Sequence, residues 1–562
     1  MDDVAIYCSS RSPAQAGQFA AEEANRVIRW LADNTVPVEP AKTEFLRLAK
    51  GQQTDSEPIR LESHPEPIRP SASVRYLGVW LDPTLKFKIH AQKVANRGQR
   101  LANCMKRLHT TLQGLPPAQA QKVARACGTA TVMYAAEAWW PGKKRVSAST
   151  KKEVSTNSRC LEDILDKPIK ALARAVVPAM KTAPNSAVLR EAGLFPTSVW
   201  TRLDKARAAA RWAAMPDNHP VIERLAPLTA NNAHCKPPPP TRLQRKAELP
   251  ASPPRPRPLE EPTLQREKAK PKKEAAREHI KAINITPVTT RLVYTHGSKQ
   301  GDKTSWAWVE QFPGTPTPAK ERSGALARAE VFDAEVVAIH RAISSATKGP
   351  PRRTRVFSDN LAAVESCKHR PAPSSQKEAI KVRELLNKRK EVTLEWCPGH
   401  SNIPGNENAD TAAKRALGNE PEPGRPTLAW TRAQAKNKKN QIVQEWWSTA
   451  APGSYREKGL GPYPDAQGLN RRDMARLVAY RTGHGRFASH FTRFNIEADT
   501  PECECGAILE PRHLVQCPRR KKVVEEAKAK FNLANEEEAH AFFLGKGYKG
   551  IGAREWFPRL FK

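Results

Sequence analysis

The sequence predicts an α/β domain with a mixed sheet, set inside a longer and strongly basic chain. Three observations carry that prediction. Arg291–His296 sets Leu292, Tyr294 and His296 on one face and Val293 and Thr295 on the other, as a strand does, and Ser305–Phe312, Thr354–Phe357 and Val392–Trp396 read as strands too. Ala329–Ser345 instead spaces its apolar residues for a helix, with Ala334, Val337, Ala338 and Ile343 sharing one side; strands interleaved with helices build an α/β layer. Finally, Glu335, Asp359 and Asp410 each stand where an apolar run ends or a helical pattern begins.

Each acidic residue falls in its own motif. The stretch contains LVYTHGS (Leu292–Ser298), VFDAEVVAIHRAI (Val331–Ile343), RVFSDNLAAV (Arg355–Val364) and LEWCPGHSNIPGNENADTAA (Leu394–Ala413). Carboxylates converging on one point are what two hard divalent cations require, since such ions take oxygen ligands and together support phosphodiester cleavage. A lone Asp or Glu is ordinarily a solvated surface group; three in separate motifs carry more weight.

These motifs resemble ribonuclease H, specifically the domain carried by fungal non-LTR (LINE-type) retrotransposon polyproteins. The family pattern is a strand ending TDGS, a helix beginning AE, a strand ending SD and a late GH…G-N-E-x-A-D segment. Ala334-Glu335, Ser358-Asp359, Gly399-His400 and Gly405–Asp410 match the last three. The resemblance implies a mixed five-stranded sheet with flanking helices over 288–420. It also implies two Mg2+ ions held by Glu335, Asp359 and Asp410, with His400 as a proton shuttle, a role that suits a group titrating near neutrality. Ser298 and Asn360 are the implied contacts to an RNA–DNA hybrid.

The first motif departs from the family, because His296 stands where its first aspartate belongs. Imidazole suits zinc and other transition metals, whereas magnesium demands oxygen, and a neutral histidine removes one negative charge. Asp302 and Asp333 are poor substitutes, one in a loop and the other two residues from Glu335 on a helix. The expectation is therefore a retained fold with magnesium-dependent cleavage weakened or lost.

Composition bounds the rest. A chain of 562 residues holds several domains. Its 93 Lys and Arg against 58 Asp and Glu give a net charge of +35, which calls for a polyanionic partner, nucleic acid before a membrane surface. No apolar run is long enough to span a bilayer, and MDDVAIY lacks a secretory pattern. The ten cysteines read as reduced intracellular thiols.

Taken in order, residues 1–145 resemble a truncated reverse transcriptase palm and thumb. Asp2 and Asp3 resemble the acidic pair of a palm, although an Asp-Asp dipeptide alone is more often a turn. Lys42 and Glu44 in PAKTEFLRL match the next palm motif, VRYLGVWLDPTLKFKIH (Val74–His90) the strand-turn into the thumb, and YAAEAWW (Tyr134–Trp140) a later segment. Fingers and an earlier aspartate are missing, so polymerase activity is not expected.

His90–Leu112 places Val94, Leu101, Met105, Leu108 and Leu112 on one helical stripe. Lys93, Arg97, Arg100, Lys106 and Arg107 lie elsewhere on that helix, either solvated or against phosphates. Residues 146–228 read as a helical connection, and 229–287 as a Pro-rich basic linker or a docking motif for proline-reading domains.

The region 428–562 should be helical, beginning with Thr431–Trp447; His484 and His490 read as packing or turn residues. Within it Cys503, Cys505, His513 and Cys517 (503–517) have the donor types of one tetrahedral zinc ion, with Gly506 allowing a tight turn. They resemble the CCHC zinc knuckle of these elements; the other reading is free cysteines in a small helical domain. Arg519–Lys522 beyond it is a phosphate-contacting or a solvated turn.

The expected function is that of a retrotransposon-derived ribonuclease H with impaired activity. The alternative is a catalytically inactive nucleic-acid-binding protein from a degenerate element. The kind of element implies the nucleus; neither membrane association nor an oligomeric state is implied.

Overall fold

In the computed structural model the described residues are 4–10, 12–48, 57–108, 113–142, 144–146, 153–155, 158–213, 272–315, 317–424, 426–466 and 468–561. They form two compact units, one of Met1–Asp204 with Ile442–Lys562 and one of Lys205–Gln441. Asp2, Asp3, Leu112 and residues 229–271 of the Pro-rich stretch lie outside the described residues.

The second unit is built on a six-stranded mixed sheet. Its strands are β1 (Arg291–Gln300), β2 (Lys303–Gln311), β3 (Lys320–Leu326), β4 (Thr354–Ser358), β5 (Val392–Trp396) and β6 (Pro421–Glu422). They lie in the order β6-β3-β2-β1-β4-β5. The first three form an antiparallel meander, while β4 runs parallel to β1 and β5 parallel to β4. The sixth strand corrects the expected five: Pro421–Pro426 reads as a break in sequence, yet its first two residues pair in parallel with β3. Proline is tolerated there because an edge position needs no second ladder partner.

Central strand β1 is covered on both faces, which is why its sequence is apolar at consecutive positions. Val293 faces a core with Ala334, Ile339 and Ile343 of α2 (Val331–Ala346), joined by α3 (Leu361–Lys368) and α4 (Gln376–Lys388). Leu292 and Tyr294 face the other way, against Ala409, Ala412 and Ala413 of α5 (Pro404–Ala416). That second face also receives α1 (Lys272–Asn284), whose His279 places Nε2 3.1 Å from the Tyr294 hydroxyl. The tail of the presumed linker is thus helical and docked, since Ala276, His279 and Ile283 repeat at helical spacing among charged residues.

In the other unit Val74–Tyr76 and Val79–Leu81 form a hairpin turned at Leu77-Gly78. Lys88–Leu108 then packs mainly through small residues: Ala91, Val94, Ala95, Gly98, Ala102 and Met105 are buried. The predicted stripe holds at Val94 and Met105 but not at Leu108, which is 73% exposed. Close approach of the facing helix Ser158–Val176, whose Pro168 lies beside Gly98, favours small side chains over large ones at that seam. Thr431–Trp447 falls inside a longer helix, Leu428–Ala450. No described helix is long and apolar enough to cross a membrane.

Candidate functional site

Register brings the four motifs to one end of the sheet. Thr295 of β1 pairs with Ser358 of β4, so His296 sits beside Asp359, the first residue past the end of β4. Glu335 enters from α2 just past its first turn, where Glu330 and Asp333 form a capping box. The helix comes this close because residue 297 is glycine: a Cβ there would lie 2.7 Å from the Glu335 nitrogen. Asp410 projects from α5.

The imidazole of His296 lies among all three acids. Its Nε2 is 3.0 Å from Asp410 Oδ1, and its Nδ1 is 3.5 Å from Asp359 Oδ1 and 3.8 Å from Glu335 Oε1. Nδ1 is buried and makes no hydrogen bond. The Ser358 hydroxyl donates to Glu335 Oε2 (3.2 Å), the Asn406 amide approaches Asp359 Oδ2 (3.5 Å), and Lys414 Nζ donates to Asp410 Oδ2 (2.7 Å).

Charge follows from this packing. Burial lifts Glu335 to about 7, only partly offset by His296 and by its bonds to Gly297 and Ser358. Burial disfavours the imidazolium of His296, but the surrounding carboxylates outweigh it and raise its pKa. Burial would also lift Asp359, yet the His296 and Asn406 contacts hold it below its usual range.

This donor set does not fit a pair of magnesium ions. Both oxygens of Asp410 are engaged, one by His296 and the other by Lys414. The ring also presents nitrogen where a hard ion needs oxygen.

The remaining predicted positions separate into those near the acids and those apart. His400 is exposed, in left-handed backbone on the Cys397–Ile403 segment, close enough to Asp359 for its charge to help depress that carboxyl. Ser298 lies two residues beyond His296 on the same strand face, opposite Ser305. Asn360 caps α3, its side-chain oxygen accepting from the Ala363 amide at 3.1 Å. Asp333 is turned away and satisfied by Ser374, Ser375 and Thr427, and Asp302 is exposed in the β1–β2 turn. Sequence reasoning missed Lys414 and Asn406; the Asp410–Lys414 i,i+4 spacing was the available signal.

A second cluster forms near the C-terminus. Pro501–Leu509 is a small hairpin turned at Gly506 (φ +85°), and it places Cys503 and Cys505 against the short helix His513–Gln516 and Cys517. Cys503 Sγ is 3.8 Å from Cys517 Sγ, Cys505 Sγ is 3.2 Å from His513 Nε2, and all four donor atoms lie within 4.8 Å of one another. Tetrahedral zinc with bonds of about 2.3 Å sets its sulfurs roughly 3.8 Å apart, so this donor set fits. Burial opposes ionisation of Cys503, but a backbone hydrogen bond at Cys505 and the Arg520 guanidinium bring its thiol down to about 6. Arg520 therefore points inward, also donating to the Leu560 carbonyl, and is no surface phosphate contact. His490 bonds the Gly485 carbonyl and Thr182, a packing role.

Residues 289–418 match the RNase H family, so the chain contains a domain of the RNase H-like fold there. RNase H1 of Halobacterium salinarum is similar at 20% identity, over 23% of this chain and 97% of that one (TM-score 0.21). The prototype foamy virus protease-reverse transcriptase is similar at 20% identity, over 24% of this chain and 22% of that one (TM-score 0.21). LC11-RNase H1, solved in complex with an RNA/DNA hybrid, is similar at 18% identity over 23% and 99% (TM-score 0.20). No curated protein matches the chain.

Proposed function

We propose that this is a ribonuclease H-type protein that engages RNA–DNA hybrids, with hydrolysis of the RNA strand impaired by His296. The reading rests on the imidazole lodged between Asp410 and Asp359 within an RNase H domain. The +35 charge supports a nucleic-acid partner, because neutralised phosphates release counterions and drive association. In this reading the basic surface and Ser298 hold the hybrid. Glu335, Asp359 and Asp410 face the scissile phosphate, and His400, the one exposed imidazole beside them, moves protons. His296 puts a nitrogen where a pair of hard cations would need an oxygen ligand.

We read the parent as the C-terminal part of a fungal non-LTR retrotransposon polyprotein, acting in the nucleus. The order of the palm-like, thumb-like, RNase H and knuckle motifs supports this. The thiolates of Cys503, Cys505 and Cys517 with His513 would hold one zinc ion, which supplies cross-linking to a segment with little core of its own.

The experiment is cleavage of a labelled hybrid with Mg2+ or Mn2+ by the chain and its His296→Asp variant, alongside hybrid binding in chelator. Slow cleavage by the parent and a gain of about 100-fold or more in the variant is expected. Equal, robust cleavage by both overturns the reading. Binding with no cleavage by either favours a purely binding protein, the role to which an imidazole at 296 already leans.

A further inference from the structure

We propose that His296, Glu335 and Asp359 form a mononuclear site for a borderline transition-metal dication of the zinc class, with Asp410 as the residue that orients the imidazole. The proposal rests on the RNase H-type reading of the domain and replaces the magnesium pair with one softer ion.

The two faces of the imidazole are inequivalent. Nε2 sits 3.0 Å from Asp410 Oδ1, so a neutral ring places its proton there. Nδ1 is then left with its lone pair, buried and without a hydrogen-bond partner, facing Glu335 and Asp359. Metal-bound histidines share this arrangement: a carboxylate fixes the tautomer at one nitrogen and the other binds the ion.

The spacing also fits. Ligand atoms about 2.0–2.2 Å from a tetrahedral ion stand roughly 3.3–3.6 Å apart. Nδ1 is 3.5 Å from Asp359 Oδ1 and 3.8 Å from Glu335 Oε1, and the three donor atoms lie within 4.8 Å of one another. The carboxylates are oriented from behind, Glu335 by the Ser358 hydroxyl and Asp359 by the Asn406 amide. Two carboxylates and a neutral imidazole also balance one dication. Three protein ligands leave one position for water or a phosphate oxygen, and His296 and Asp359 both keep some solvent exposure.

Cobalt(II) binding to the full-length chain tests this, because cobalt reports the two clusters separately. Only thiolate ligands give near-ultraviolet charge-transfer bands, so the Cys503 cluster serves as an internal reference. The parent should bind one equivalent without thiolate bands, and His296→Ala should lose that equivalent while the thiolate bands stay. Asp410→Asn keeps all three ligands and should weaken the same equivalent by about 10–100-fold, so a folding defect in His296→Ala does not decide the matter. Equal binding by the parent and His296→Ala overturns the proposal, as does unchanged affinity in Asp410→Asn. Hybrid binding, measured in chelator on the same samples, is independent: its loss would sink the hybrid reading and leave the metal result standing.

Discussion

Arg481 and Glu191 are 290 residues apart in the chain, yet they form a fully buried ion pair with Nη1 at 2.7 and 2.9 Å from the two carboxylate oxygens. The Tyr455 hydroxyl donates to the same carboxylate, and Arg190 bonds both Glu191 and Asp465. Two cations and two anions thus close a network that joins the N-terminal and C-terminal segments of one compact unit. Arg481→Met should cost about 3–5 kcal/mol, because it strands a buried carboxylate, and adding Glu191→Gln should recover part of the loss. Denaturant unfolding of the two variants checks this.

Stability of the RNase H domain should fall as pH rises from about 5 to 8 in chelator. Glu335 and His296 both have raised folded-state pKa values, so each binds protons more tightly folded than unfolded. The Glu335 contribution declines as pH climbs from its ordinary range near 4.5 through about 7, and that of His296 declines above 6.5. Asp359 has the opposite sign and loses its contribution only in acid. Thermal melts of the parent and Glu335→Gln should show a flatter pH dependence in the variant, by up to about 3 kcal/mol over the window.

Gly297→Ala should cost about 1–3 kcal/mol, because the new methyl group would press on the Glu335 backbone 2.7 Å away. Pushing α2 outward also moves Glu335 from His296. Unfolding measurements read the first effect, and cobalt binding at the His296 cluster reads the second.

Removal of the zinc ion proposed for the Cys503 cluster should unfold the C-terminal hairpin and leave the RNase H domain intact. Cys503→Ser is expected to retain less than one equivalent of zinc at the thiolate cluster and to lose hydrogen-exchange protection across residues 501–531. Protection in 291–416 should stay unchanged, since those residues belong to the other unit.

Much of the domain was legible in local sequence. Strand-like runs marked β1, β2, β4 and β5, and helical spacing marked α2 to within two residues at its start. β3 (Lys320–Leu326) was not legible, because KERSGAL is polar and half-exposed at the sheet margin, where pairing with β2 rather than apolar patterning makes the strand. Nor was α1, whose three inward residues are outnumbered by charges.

The sequence by itself singled out three acidic motifs and a histidine as the candidate site, because each acid stands in its own motif and His296 falls in the strand motif that precedes them. Tertiary structure alone decided what they do to one another. Parallel pairing of β1 with β4 and the docking of α5 set the ring of His296 between Asp410 and the other two acids, leaving one nitrogen bonded and one free. Such inequivalence depends on distances of a few ångströms between groups more than a hundred residues apart, which no local pattern records. The same limit hid the buried tie between Arg481 and Glu191: in sequence they are ordinary charges, and only the meeting of two distant segments removes them from water.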